Sequence, residues 1–121
     1  MHQLRPKLTA ENFVELIAAQ QAEGYELTRL EDQGAIVCVA GFRVMHVLWS
    51  GKTFYVDDLV TDEAQRSRGY GGQMLQWLIA QARELGCSTF SLDSGTHRND
   101  AHAFYMRNGL RISDFHFQLA L

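Results

Sequence analysis

The chain has 121 residues, 46% of them hydrophobic, with seven Phe, four Tyr and two Trp, which is enough for one buried core and excludes a disulfide-stapled miniature. A net charge of −3 without any block of like charges argues against a nucleic-acid surface, and every apolar run stops far short of a membrane span. Cys38 and Cys87 lie far apart in apolar sequence and read as two reduced thiols, and Met1–Pro6 carries no apolar leader stretch, so a cytoplasmic protein of a single domain, residues 1–121, is expected.

Thr9 is placed to cap a helix in which Phe13, Leu16, Ile17 and Gln20 share one face, and Gly24 supplies its stop. Tyr25–Leu30, the turn sequence Glu31-Asp32-Gln33-Gly34, and the β-forming run Ile36, Val37, Val39, Phe42, Val44, Val47 predict an antiparallel hairpin. Gly41 inside that second strand suggests a bulge or a close backbone approach. A turn at Ser50-Gly51-Lys52 leads to a third strand, Thr53–Thr61. Met74, Leu75, Leu78, Ile79, Ala82 and Leu85 then recur at helical spacing, closed by Gly86. Ser88–Ser94 alternates as a strand, Arg98–Asn108 forms a short helix ending at Gly109, and Leu110–Leu121, including His116, reads as a last strand. The order α-β-β-β-α-β-α-β implies a mixed sheet with helices packed on it.

Between the third strand and its following helix stands Arg66-Ser67-Arg68-Gly69-Tyr70-Gly71-Gly72. A strand, a loop and a glycine-rich helix start aim several backbone N–H groups and the positive end of a helix at one spot, which suits an anion. Glycines let a bulky pyrophosphate approach those amides, and Arg66 and Arg68 add charged donors. A turn that merely eases helix–sheet packing is the plainer alternative. The Lys and Ser/Thr of a nucleotide-triphosphate loop are absent.

The string Asp57-Asp58-Leu59-Val60-Thr61-Asp62, followed by Arg66-Ser67-Arg68-Gly69-Tyr70-Gly71, resembles the acyl-CoA signature of the GNAT superfamily of N-acetyltransferases. Ala101-His102-Ala103-Phe104-Tyr105-Met106-Arg107-Asn108-Gly109-Leu110 is similar to that superfamily's second motif. The resemblance covers Phe54–Leu121 and implies an α/β (α+β) acyl-CoA N-acyltransferase (GNAT) fold: a mixed, mostly antiparallel twisted sheet flanked by helices. Against that pattern Met1–Lys7 is too short for a first strand and helix, so the fold is expected to be shortened at the N-terminus, with an acceptor pocket that is open or completed in a homodimer.

The implied activity is transfer of the acetyl group of acetyl-CoA, the cosubstrate, to a primary amine by direct attack in a ternary complex. The resemblance assigns Leu59, Val60 and Thr61 to the pantetheine arm, with an amide near Leu59 or Val60 polarising the acetyl carbonyl. It assigns Arg66, Ser67, Arg68, Gly69, Tyr70, Gly71 and Gly72 to the pyrophosphate. Where the family has an asparagine this chain has Arg98, so Asn99, one place later, is the candidate for that CoA contact. Tyr105 matches the family's general acid, and its phenol keeps a proton at neutral pH. Asp57 and Asp58 are the candidate bases; strand alternation predicts that only one of them faces the cleft, Asp57 sharing a face with Tyr55 and Leu59, Asp58 with Val56 and Val60. His97 and His102 flank the short helix and could relay a proton, but their spacing does not suit one helical face and no metal is expected. Phe115-His116-Phe117 and Trp49 are candidates to line an acceptor pocket, core or dimer contact. The competing function is an acyl-CoA-binding regulatory or assembly module with little catalysis. No nucleic acid or membrane partner is expected.

Overall fold

The computed structural model describes every residue from Met1 to Leu121. Helix α1 spans Ala10–Ala22. Its start is fixed by a reciprocal capping box, in which Thr9 Oγ1 accepts the Asn12 N–H at 3.1 Å and Asn12 Oδ1 accepts the Thr9 N–H at 2.7 Å. Its end is a left-handed Gly24, φ 96°, with the Gly24 and Tyr25 N–H groups donating back to Gln21 and Gln20. Strands β1 (Glu26–Asp32) and β2 (Ala35–Val47) form the expected hairpin. Gln33 and Gly34, both at positive φ, make its two-residue turn, whose twist matches that of the strands.

β3 (Gly51–Thr61) pairs antiparallel with β2, and β4 (Thr89–Leu92) pairs parallel with β3, giving the sheet order β1-β2-β3-β4. Helix α2, Tyr70–Glu84, makes the crossover between those parallel strands, and α3, Asn99–Arg107, follows β4. The core lies between the sheet and α2: Phe42 stacks on Phe54 at 4.6 Å and Phe54 on Phe90 at 5.5 Å, covered by Met74, Leu78 and Ala82. Cys38 is buried in this core and Cys87 packs against it, both as free thiols. Losing a ring such as Phe54 from it would cost about 3–5 kcal/mol. By contrast α1 buries no residue.

The pairing register slips between Gly41 and Phe42: Gly41 faces Asp58 and Phe42 faces Val56, so Asp57 is an extra residue in β3. The slip resets the alternation of side chains. Val56 and Leu59, three residues apart, both meet the α2-side core, and Thr61 follows Leu59 with its hydroxyl on Cys38 Sγ. The expected grouping of Asp57 with Leu59 is therefore overturned, because strict period-two counting does not survive a bulge.

Leu110–Leu121 does not form the expected strand. No backbone hydrogen bond involves residues 111–121, and Phe115, Phe117 and Leu119 are 84%, 91% and 82% exposed. An alternating sequence needs a paired neighbour to become a strand, and this chain does not supply one to its own tail.

Candidate active site

β3 and β4 are hydrogen-bonded only as far as Val56 and Leu92. Beyond that point β3 continues to Thr61 with β2 on one side, so the β4-facing backbone edge of Asp57–Thr61 has no strand against it. Ser94, just past the end of β4, buries its Oγ without a hydrogen-bond partner. A strand edge left unpaired in this way offers backbone donors and acceptors to an extended ligand laid against it.

The free edge runs directly into the glycine-rich turn. Ser67 and Gly69 have positive φ, 69° and 80°, and curl the backbone into a concavity at the start of α2. Gly69 is the N-cap, and no side chain caps this helix, in contrast to the closed box on α1. The amides of Tyr70, Gly71 and Gly72 thus point out of the first turn without an intrahelical acceptor. A Cβ built at Gly69 or Gly72 would meet nothing within 4 Å, so the protein leaves open space beside both residues. Arg66 and Arg68 are exposed beside it, and neither enters an ion pair. The phenol of Tyr70 donates to the Asp32 carboxylate and lies within reach of the Arg68 guanidinium. This concavity fits a pyrophosphate on its donor set and its room.

Gly71 has a different role from its neighbours. A Cβ there would lie 3.3 Å from Thr61 Oγ1 and 3.5 Å from Phe104 Cζ, so the end of β3, the start of α2 and helix α3 converge on it. α3 is tied to α2 by the Gln76 amide donating to Asn108 Oδ1 at 3.2 Å. Tyr105 on α3 is half-buried with its ring 5.4 Å from that of Phe104, and burial raises its pKa while the nearby Arg98 charge opposes the rise. Asn99 is the exposed first residue of α3. His102 Nε2 donates to the Gly95 carbonyl at 2.8 Å and His97 is exposed.

On the face away from α2, the bulge brings both aspartates into one cluster. Arg43 holds Asp57 through two bonds, Nε to Oδ1 at 3.0 Å and Nη2 to Oδ2 at 2.8 Å. That contact raises the Arg43 pKa further, and it occupies both Asp57 oxygens. The guanidinium of Arg43 also stands 5.7 Å from the centre of the Tyr25 ring. Tyr25 donates to Asp58 Oδ2 at 2.8 Å, and Arg5 donates from Nε to Asp58 Oδ1 at 2.9 Å. Burial first, then the Asp58 hydrogen bond, push the Tyr25 phenol well above its ordinary value. The expectation that only one aspartate reaches the cleft is corrected in one respect: both join this cluster, but only Asp58 borders the cavity beneath α1. That cavity has a volume of about 360 Å³, and its apolar wall comes from Phe13, Leu16 and Ile17. Trp49, 77% exposed at the β2–β3 turn, does not line it.

Arg5, Tyr25, Arg43 and Ser94 are absent from the residues singled out by sequence. Gly41 carried the one usable signal, since a glycine in a strand interior marks a close approach, and the group that approaches is Tyr25.

Comparison with known proteins agrees with this geometry. Residues 3–110 match the model of the Acetyltransferase (GNAT) family. The chain is 35% identical over 120 residues to the uncharacterised N-acetyltransferase YhdJ of Bacillus subtilis (strain 168), covering 98% of this chain and 84% of that protein. It is also 35% identical over 80 residues to the aminoalkylphosphonate N-acetyltransferase of Salmonella typhimurium, covering 66% of this chain but only 50% of that enzyme. Among solved structures, a candidate acetyltransferase from Agrobacterium tumefaciens superposes with a TM-score of 0.84 at 27% identity, over 99% of this chain and 88% of the other. The protein is therefore a member of the GNAT acetyltransferase family, an enzyme that transfers acetyl groups from acetyl-CoA to amines.

Proposed function

We propose that the chain acetylates a small primary amine by direct attack within a ternary complex, with CoA on the α2 side of the β3–β4 split and the acceptor entering from the cavity beneath α1. The observation that carries this reading is the continuity of the one-sided edge Asp57–Thr61 with the uncapped start of α2. One extended ligand with a pyrophosphate in its length is satisfied by both features at once. Backbone groups of Leu59, Val60 and Thr61 receive the pantetheine arm, and an amide near Leu59 or Val60 faces the oxygen on which charge develops. The amides of Tyr70, Gly71 and Gly72, with Ser67, Gly69, Arg66 and Arg68, hold the pyrophosphate, and Asn99 takes a further CoA contact.

Acetyl-CoA supplies the activated acetyl group: the amine lone pair forms the C–N bond, the C–S bond breaks, the sulfur leaves as a thiol after accepting a proton, and the surplus ammonium proton passes to solvent. Tyr105 is the proton donor to that sulfur, a role supported by a burial-raised pKa that keeps its phenol protonated at neutral pH. Removing the proton from an alkylammonium at pH 7 costs on the order of 4 kcal/mol, so the group that pairs with the ammonium must also carry its proton away toward solvent. Asp58 is the candidate for both tasks, because it is the aspartate that borders the cavity, while Asp57 is committed to Arg43.

Two coarser features fit the same reading. The free thiols of Cys38 and Cys87 suit a reducing, cytoplasmic setting, and no helix is long and apolar enough to cross a membrane. The exposed apolar tail, with Phe115, Phe117 and Leu119, is the surface on which a homodimer would form.

The test is incubation with acetyl-CoA and a panel of primary amines, following free thiol and acetylated amine together. Equal amounts of both are expected. CoA binding by calorimetry without thiol release from any amine would instead establish a binding module.

A further inference from the structure

The Asp58–Arg5 pair has an unequal environment. The Asp58 side chain is only 11% exposed, whereas that of Arg5 is 53% exposed. Tyr25 secures one Asp58 oxygen from within the fold, and Arg5 closes the other from the cavity mouth. Arg5 belongs to the segment before α1, and its Nη2 also reaches the Asp57 carbonyl at 3.1 Å. Lys7, a second cation on the same segment, borders the same cavity. Glu23 borders it as well, and the charge of Glu23 is felt by Arg43.

We infer that the acceptor is a zwitterion, a primary amine carrying an oxyanion, and that it is selected by exchange of the Asp58–Arg5 ion pair. The inference rests on the transferase reading above. An incoming ammonium must take the Asp58 oxygen now held by Arg5. If the acceptor carries no other charge, one ion pair replaces another, and a guanidinium is left without its partner at the mouth of a largely apolar cavity. Such an exchange gains little, because a half-desolvated charge deprived of its partner is costly. If the acceptor also carries a carboxylate or phosphonate, one ion pair becomes two: ammonium on Asp58, oxyanion on the released Arg5 with Lys7 beside it. A guanidinium is well matched to either oxyanion through paired N–H donors. A diamine gains no such second pair on this segment, since its second cation meets Arg5 and Lys7 and has only Glu23 to receive it. The cavity of about 360 Å³ admits an acceptor of metabolite size, and its apolar wall suits a short aliphatic spacer between the two charges.

The experiment compares 1-aminopropane, 3-aminopropanoate, 2-aminoethylphosphonate and 1,3-diaminopropane as acceptors, with acetyl-CoA saturating and thiol release as the readout. The better of the two acid-bearing amines is expected to exceed 1-aminopropane in kcat/KM by about tenfold or more, and to exceed the diamine as well. Which of the two is better identifies the oxyanion. In Arg5→Gln the advantage should shrink to about threefold or less, through a fall for the acids and a rise for 1-aminopropane, whose seat on Asp58 is then uncontested. Lys7→Gln should reduce the acids alone. Calorimetry of the same amines on the CoA-saturated protein reads the exchange without turnover. Rates and affinities that are equal across the four amines, or a ratio unchanged in Arg5→Gln, would overturn the zwitterion while leaving acetyl transfer intact. Selective binding of the acid-bearing amines without thiol release would retain the exchange and reject the transferase reading.

Discussion

Tyr25 occupies the space that a side chain at Gly41 would need: a Cβ on Gly41 would lie 1.6 Å from the Tyr25 hydroxyl oxygen and 2.2 Å from Cζ. The strand glycine and the phenol that secures Asp58 are therefore one unit. Gly41→Ala must expel the ring and should cost about 2–3 kcal/mol, by the overpacking penalty typical of well-filled sites. In a Tyr25→Ala background the same change should cost less than about 1 kcal/mol, because the obstruction is gone. Urea unfolding of the four proteins of that cycle checks the coupling, and additive effects would refute it.

Gly72 offers the opposite case. Its Cβ would meet nothing in the protein, and it lies in the first turn of α2. Gly72→Ala should raise stability by up to about 1 kcal/mol, since alanine loses less backbone entropy in a helix. It should also weaken CoA binding by roughly tenfold or more if the open space beside it is where the pyrophosphate sits. Thermal unfolding and calorimetry read the two effects separately, and a gain in stability with unchanged affinity would relocate the cradle.

The doubly bonded pair Arg43–Asp57 predicts a structural phenotype. Both side chains are mostly buried, 18% and 19% exposed. Asp57→Asn should lower stability by about 1–3 kcal/mol, the range for charge-assisted hydrogen bonds, with kcat changed less than about threefold. Asp58→Asn should instead raise KM for the amine. A collapse of kcat in Asp57→Asn without loss of stability would make Asp57 the catalytic carboxylate.

Tyr105→Phe separates binding from chemistry. CoA affinity should stay within about twofold, and kcat should fall by about a hundredfold, the usual scale for a lost general acid. The direction of the pH effect follows from burial, which raises the phenol above its ordinary value of 10.0. The protonated donor thus predominates through neutral and mildly alkaline pH and is lost as the pH climbs through the raised value, so the midpoint of the alkaline fall in kcat should lie above pH 10 and the fall should disappear in the variant. A pH profile unaltered by the substitution would remove Tyr105 from the reaction.

The tail predicts self-association. The 121-residue chain should have the mass of a dimer in solution by light scattering, and deletion of Asp114–Leu121 should yield a folded monomer, because no backbone bond ties that segment to the rest of the chain. A monomeric 121-residue chain would refute the idea.

What was legible in the sequence depended on distance along the chain. Thr9, Gly24 and the Gln33-Gly34 turn act on residues a few positions away, and their structural effects follow from local hydrogen bonding. The glycine-rich turn is likewise contiguous, so its open amides could be anticipated. The cluster around Asp58 was not legible, because Arg5 and Tyr25 reach it across 53 and 33 residues through strand pairing and the path of the N-terminal segment. The tail misled for the opposite reason: its alternation of Phe115, Phe117 and Leu119 is genuine, but alternation encodes a two-sided surface and does not supply the neighbouring strand. For Gly41 the sequence offered two meanings, a bulge or a close approach: the approach holds at Gly41 itself, whereas the bulge lies across from it, at Asp57 in β3.

The extra residue at Asp57 also makes the strand tolerant of shortening at one place. Deleting Asp57 would join Val56 to Asp58, and the partners Phe42–Val56, Gly41–Asp58 and Ala40–Leu59 would stand as they do now in uninterrupted alternation. Val56, Leu59 and Thr61 would keep the α2 face and Asp58 the opposite one, so the loss would fall on the Arg43 guanidinium, left without its carboxylate. Deleting Leu59 instead would bring Val60 opposite Ala40 and turn Thr61 away from the core, so the same one-residue cut is a local loss at one position and a reversal of the strand's faces two positions later.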